Sequence, residues 1–197
     1  MNKGKKLYSL KETFFHLLRA FSTIKYFSKA RKSGLISEKF QERLMLATTQ
    51  VNGCAMCSYA HTQIALKAGL PEDEIRQLLD TEDQRNSPKE ELNAILFASY
   101  YAECRANVER PIWVNIVKEY GIDKALGILG AIRMITVGNA YGIPLGSFLT
   151  RFKKDKSKRD ARSNIFYELA MLISFIPFTL VAIIISFFLR LLKIKLI

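Results

Sequence analysis

Residues 42–61 read ERLMLATTQVNGCAMCSYAH, and the rest of the chain is understood from them. Cys54 and Cys57 stand three apart, His61 follows four residues after the second cysteine, and Glu42 lies twelve residues before the first. Leu44, Leu46, Ala47 and Val51 fit one apolar helical stripe. Asn52-Gly53 interrupts it as a turn signal. Ala55, Tyr59, Ala60, Ile64, Ala65 and Leu66 resume helical spacing until Ala68-Gly69, and Pro71 follows. The pattern predicts two helices joined by a tight turn. Cys54 then falls at or near the N-terminus of the second helix, with Cys57 on its first turn.

This placement has chemical content. Cys54, Cys57 and His61 share one helix face by their spacing. Free backbone N–H groups and the positive end of the helix dipole favour a thiolate there, and the thiolate is the reactive form of cysteine. His61 is the side chain best suited to pass a proton near neutral pH. Glu42, on the preceding helix, is expected to fold back across the turn, to orient His61 or to accept its proton.

The motif has other readings. A zinc site would need a fourth ligand, from Glu42 or Cys104, and there is no second C-x-x-C or H-x-H cluster. A thioredoxin site lacks the surrounding βαβ pattern, and a c-type haem site would need His where Ser58 stands. A purely structural bridge within one helical turn would constrain almost no loop. Cys104 reads as a small buried hydrophobe on a helix, and His16, in an aromatic-rich amphipathic stretch, as structural.

The stretch resembles the carboxymuconolactone decarboxylase superfamily, and within it the AhpD-like alkylhydroperoxidase branch. The matching pattern is Glu42, eleven residues, Cys54-x-x-Cys57, three residues, His61. Ala65 to Ile75, ALKAGLPEDEI, looks like the family's helix exit. The likeness runs from about Leu35 to Phe152 and is strongest up to Leu79. It implies that Cys57 attacks a peroxide, that Cys54 resolves the sulfenic acid into a Cys54–Cys57 disulfide, and that Glu42 and His61 relay protons. It implies a hydroperoxide substrate, an external dithiol or thiol-protein electron donor, a homo-oligomer such as a trimer, no cofactor and no metal. One departure is Met56, where well-known members carry a second histidine. The decarboxylases proper do not rely on a C-x-x-C pair, so its presence favours redox chemistry. The alternative is a non-enzymatic redox-sensing or scaffold module.

The remaining pattern is helical, and the expected fold class is all-α: a helical bundle with a membrane-inserted helix near its C-terminal end. Ser87-Pro88-Lys89-Glu90 reads as a capping box that opens a helix to about Cys104. Pro111 begins a short helix to about Tyr120, which Gly121 stops. Asp123 is expected to cap another, from Lys124 to about Val137. Gly127 and Gly130 inside it suggest close helix–helix approach. Gly138-Asn139, Gly142, Pro144 and Gly146 are expected to break the pattern. No strand alternation and no phosphate loop appear.

Charge divides the chain of 197 residues. Residues 42–150 hold 10 Lys/Arg and 13 Asp/Glu, whereas residues 1–41 hold 10 and 2, and residues 151–197 hold 10 and 3. The flanks therefore carry all of the net +12. Leu169–Leu189, LAMLISFIPFTLVAIIISFFL, has no charged residue. At about 1.5 Å per residue it matches the roughly 30 Å hydrocarbon core of a bilayer, and Pro177 is tolerated in such a helix. Residues 151–162 carry seven Lys/Arg, against Arg190, Lys193 and Lys195 beyond the span. The excess predicts a single C-terminal span with the catalytic domain facing the cytoplasm, near anionic lipids. The basic run holds one aromatic, Phe152, and so does not read as a nucleic-acid surface. Three cysteines are too few for a disulfide framework, and a motif-bearing pair suits a reducing compartment. The expected organisation is a basic amphipathic helix in residues 1–34, the redox domain in 35–150, a polybasic linker in 151–163 and the membrane anchor in 164–197. The first helix packs on the domain or lies on the membrane.

Overall fold

The structure is a computed structural model and describes residues 6–80, 87–152 and 162–192. Among these the fold is all-α. Its helices are α1 (Leu10–Lys32), α2 (Glu38–Asn52), α3 (Ala55–Lys67), α4 (Glu72–Leu79), α5 (Lys89–Glu103), α6 (Arg110–Thr150) and α7 (Ile165–Leu191). Most of the polybasic run lies outside the described residues, as do Lys193 and Lys195.

The core is built around α2. Phe40, Leu44, Leu46, Ala47 and Val51 are buried on it, and it packs against α3, α4, α5 and α6. Arg43 shares this interior. Arg43 donates from Nε to Glu74 at 2.5 Å and from Nη1 to Glu91 at 2.9 Å, tying α2 to α4 and α5. A buried guanidinium is tolerated where both ends of its fork meet carboxylates.

α1 lies along α6. A Cβ on Gly127 would fall 2.5 Å from the Ala30 Cβ, and one on Gly130 would fall 2.7 Å from the Phe27 Cβ. These two glycines let the helix axes approach, as their spacing suggests.

One local expectation holds and two do not. Gly121 does break α6, with φ 72° and ψ 156°. The second half does not stop near Val137, however. It runs on through Gly138, Gly142, Pro144 and Gly146 to Thr150. Tertiary packing outweighs helix propensity there: Asn139, Ala140, Tyr141, Gly142, Ile143 and Pro144 are all buried. The capping box at Ser87 is absent, since Pro88 is the cap residue of α5 and no side chain caps it. A capping box opens α1 instead, where the Ser9 side chain accepts from Glu12 N and the Glu12 carboxylate accepts from Ser9 N.

Among the described residues two helices are long and apolar enough to cross a membrane. They differ in where their apolar surface goes: 89% of the most apolar window of α6 is buried in the protein, against 17% of that of α7. α6 is a core helix. α7 meets the domain through a narrow, partly polar seam of Glu168, Met171, Ser174, Ala182 and Ser186. The seam follows α1 in the same direction. Tyr167 donates to Tyr8 O (2.9 Å), Ser186 to Leu18 O (3.3 Å) and Arg190 to Phe21 O (2.8 Å). Glu168, fully buried, is held by Arg151 and Ser163. The outward face of α7 is apolar along its length, with Phe166, Ile173, Ile176, Leu180, Ile184, Phe187 and Leu191 exposed.

Candidate active site

The chain reverses between α2 and α3 at Gly53, whose φ of 73° lies in the left-handed region that glycine adopts without strain. This turn lays α3 back along α2 and makes Cys54 the N-cap residue of α3. Cys54 and Cys57 are joined as a disulfide. The Cys57 backbone N–H donates to Cys54 Sγ at 3.3 Å. One of the free donors at the helix start is thereby spent on sulfur, where it favours negative charge.

The same reversal brings the relay pair together. His61 Nδ1 and Glu42 Oε2 are hydrogen-bonded at 2.7 Å, and Gln41 Nε2 donates to the other carboxylate oxygen at 2.9 Å. Glu42 is fully buried and His61 half-buried. With Nδ1 engaged, Nε2 is the nitrogen left to take or give a proton, and it makes no hydrogen bond among the described residues. The four sequence candidates thus form two bonded pairs linked by α3, with Cys57 and His61 on successive turns of one face.

The surroundings of the sulfurs contain residues that sequence reasoning missed. Ile143 and Leu7 pack on the pair. Cys57 Sγ lies 3.7 Å from Gly138 O. A Cβ on Gly142 would fall 2.5 Å from Cys57 Sγ and 2.8 Å from Cys54 Sγ. Gly138 and Gly142, two of the residues read as helix breakers, are therefore the floor on which the disulfide sits. A glycine in a helical stretch with Pro two residues on is easily taken for a terminus, so only the tertiary contact reveals this role. Behind the turn, Tyr8 donates to Asn52 Oδ1 at 2.7 Å, and burial pushes the Tyr8 hydroxyl well above its ordinary range.

Exposure separates the two sulfurs. Cys54 is 1% exposed and Cys57 9%. Cys57 is the less buried residue of the two and stands one helical turn before His61. Cys104 stands apart, half-buried at the C-terminal end of α5, and burial raises its thiol above the usual range. His16 is buried on α1 against the Tyr8 ring, where burial first and the Arg19 charge second lower it to about 4. Among the described residues no three His, Cys, Asp or Glu side chains converge as a metal site would need.

Residues 16–99 match the carboxymuconolactone decarboxylase family. This part of the chain is similar to that family. The family stretch begins inside α1, ends in α5 and contains Glu42, Cys54, Cys57 and His61. Gly138, Gly142 and all of α7 lie beyond it. No curated protein and no solved structure matches the chain.

Proposed function

We propose that the chain is a member of the carboxymuconolactone decarboxylase family and a thiol-dependent hydroperoxide reductase of the AhpD-like kind, held at a membrane. The observation that carries the reading is the Glu42–His61 hydrogen bond, on the helix face that bears the C-x-x-C pair. A buried carboxylate that fixes one imidazole nitrogen leaves the other poised for proton transfer, which is what breaking an O–O bond requires.

In the reduced protein the Cys57 thiolate attacks the terminal oxygen of a hydroperoxide, ROOH. The O–O bond breaks, the alkoxide leaves as ROH with a proton passed through His61, and Cys57 becomes a sulfenic acid. The Cys54 thiolate, favoured by the Cys57 amide, attacks the Cys57 sulfur. The S–O bond breaks, water leaves with a second proton, and the disulfide forms. Two thiols and ROOH thus give disulfide, ROH and water. An external dithiol then reduces the pair by thiol–disulfide exchange.

The test is steady-state consumption of an organic hydroperoxide with a small dithiol as donor. Turnover that Cys57→Ser abolishes supports the proposal; no turnover by the intact chain removes it. A redox-sensing module is the second reading, favoured by the burial of both sulfurs beneath Gly142 and Ile143. It predicts one round of disulfide formation without sustained turnover.

The membrane part of the proposal rests on α7, whose outward face is apolar end to end. The basic residues before it favour a cytoplasmic domain with α7 crossing the bilayer. The seam with α1 favours a shallower insertion, because a helix that crosses would take the stretch from Tyr8 to Phe21 with it or detach from it.

A further inference from the structure

On α6, Arg133 is 5% exposed. Its Nε donates to the Tyr101 hydroxyl at 3.3 Å and its Nη1 to Arg19 O at 3.4 Å. Both acceptors are neutral, Nη2 makes no hydrogen bond, and no carboxylate pairs with the guanidinium among the described residues. Contrast Arg43, the other buried guanidinium, which holds two carboxylates. A buried charge normally finds a counter-ion. Arg133 instead lines a cavity of about 960 Å³ between α1, the end of α5 and the start of α6. That is the upper end of the roughly 300–1,000 Å³ typical of small-molecule sites.

The cavity walls are Phe97, Tyr101, Trp113, Val117, Ile122 and Leu129. Arg19 also lines it, and its guanidinium has no partner among the described residues. The mouth holds exposed Asn107, Glu109 and Arg110. The buried end is therefore cationic and the walls are apolar. Burial lowers the Arg133 pKa and the Arg19 charge adds to the effect, so the two cations sit close enough to repel where an anion would relieve them.

We infer that this cavity binds a carboxylate with an apolar tail, of the fatty-acid class, its carboxylate on Arg133 Nη2 and its chain along Trp113, Val117 and Leu129. A carboxylate fits because Arg133 offers one unengaged edge, and guanidinium–carboxylate pairing is the strong, directional choice for such an edge. The site is distinct from the redox pair. Gly138 and Gly142, which carry the sulfurs, point to other sides of α6 at the helical turn of about 100° per residue. The inference therefore stands whether or not the peroxidase reading does. It also fits the position of α1, which lines the cavity through Arg19 and contacts α7 through Leu18 and Phe21.

Trp113 is the single tryptophan of the chain, so its fluorescence reports on the cavity directly. The full-length protein in lipid nanodiscs is titrated with decanoate, with decanol and decyl phosphate as comparisons. Decanoate gives a saturable change. Decanol and the Arg133→Met variant bind roughly ten- to a hundredfold more weakly, the worth of one charge-assisted hydrogen bond. Val117→Phe, which narrows the cavity and leaves its charge intact, weakens decanoate and decanol alike and guards against a misfolded Arg133→Met. Equal affinity for decanol and decanoate, or unchanged binding in Arg133→Met, overturns the inference. So does decyl phosphate binding where decanoate does not. A Trp113 signal that follows protein concentration rather than ligand also overturns it, because a second copy then fills the cavity.

Discussion

Replacing Gly142 by alanine should disturb the redox centre by a calculable amount. The new Cβ would lie 2.5 Å from Cys57 Sγ and 2.8 Å from Cys54 Sγ. A comfortable contact is about 3.5–4.0 Å, so helix and disulfide must separate by roughly 1 Å. Overpacking of this kind costs about 1–3 kcal/mol. The substitution also gains helix propensity, up to about 1 kcal/mol for Gly to Ala, which would mask part of the loss. Gly146 supplies the control. It lies on the same helix, one turn further on, with no atom within 4 Å of its would-be Cβ. Gly146→Ala takes the propensity gain without the clash, so the difference between the two variants isolates the clash. At roughly 2–4 °C per kcal/mol for a chain of this size, oxidised Gly142→Ala should melt about 2–12 °C below oxidised Gly146→Ala. Differential scanning calorimetry of the two full-length variants in one detergent measures this. A Gly142→Ala protein that melts at or above Gly146→Ala would show that the sulfurs do not rest on α6.

Three further outcomes are expected. Glu42→Gln should lower kcat/KM for hydroperoxide by about 10²- to 10⁴-fold, the usual worth of a positioned acid–base group, and should flatten the pH–rate profile; wild-type kinetics in this variant would remove Glu42 from the relay. His16 titrates near 4 in the fold and near 6.5 when unfolded. The unfolded chain therefore binds the extra proton, and stability present above pH 6.5 is lost as pH falls toward 4, by up to roughly 3 kcal/mol; denaturant titrations across this window should show a slope that His16→Gln lacks, and an equal slope in both proteins would count against it. Paired Ile176→Lys and Ile184→Lys changes on the outward face of α7 should release the protein from vesicles in a flotation assay, and retention would show that α7 is not the membrane contact.

The site was more legible in the sequence than the helices around it. Glu42, Cys54, Cys57 and His61 could be placed because one turn at Asn52-Gly53 fixes all of them: a left-handed glycine, an N-cap at Cys54 and a helix face are local facts. The continuation of α6 was not legible, because Gly138, Gly142 and Pro144 carry a local signal to stop that burial against the disulfide overrides. Ser87 and Ser9 illustrate the same limit. Both precede an acidic residue at capping distance, and only the backbone path selects Ser9. The seam of α7 was hidden because Ser174, Ala182 and Ser186 are diluted in an apolar run. Arg133 has no motif around it that marks it in the sequence, and only the fold shows that it is buried with no carboxylate partner among the described residues.

In the proposed function, oxidation of the C-x-x-C pair by a hydroperoxide depends on the Glu42–His61 hydrogen bond. Its most direct measurement is a single turnover: fully reduced full-length protein mixed with one equivalent of cumene hydroperoxide, with free thiols counted against time. The account predicts loss of two thiols for each hydroperoxide consumed, fast in the intact chain and slowed in His61→Asn. Thiols that stay free while the hydroperoxide persists, or a rate indifferent to His61→Asn, would contradict it.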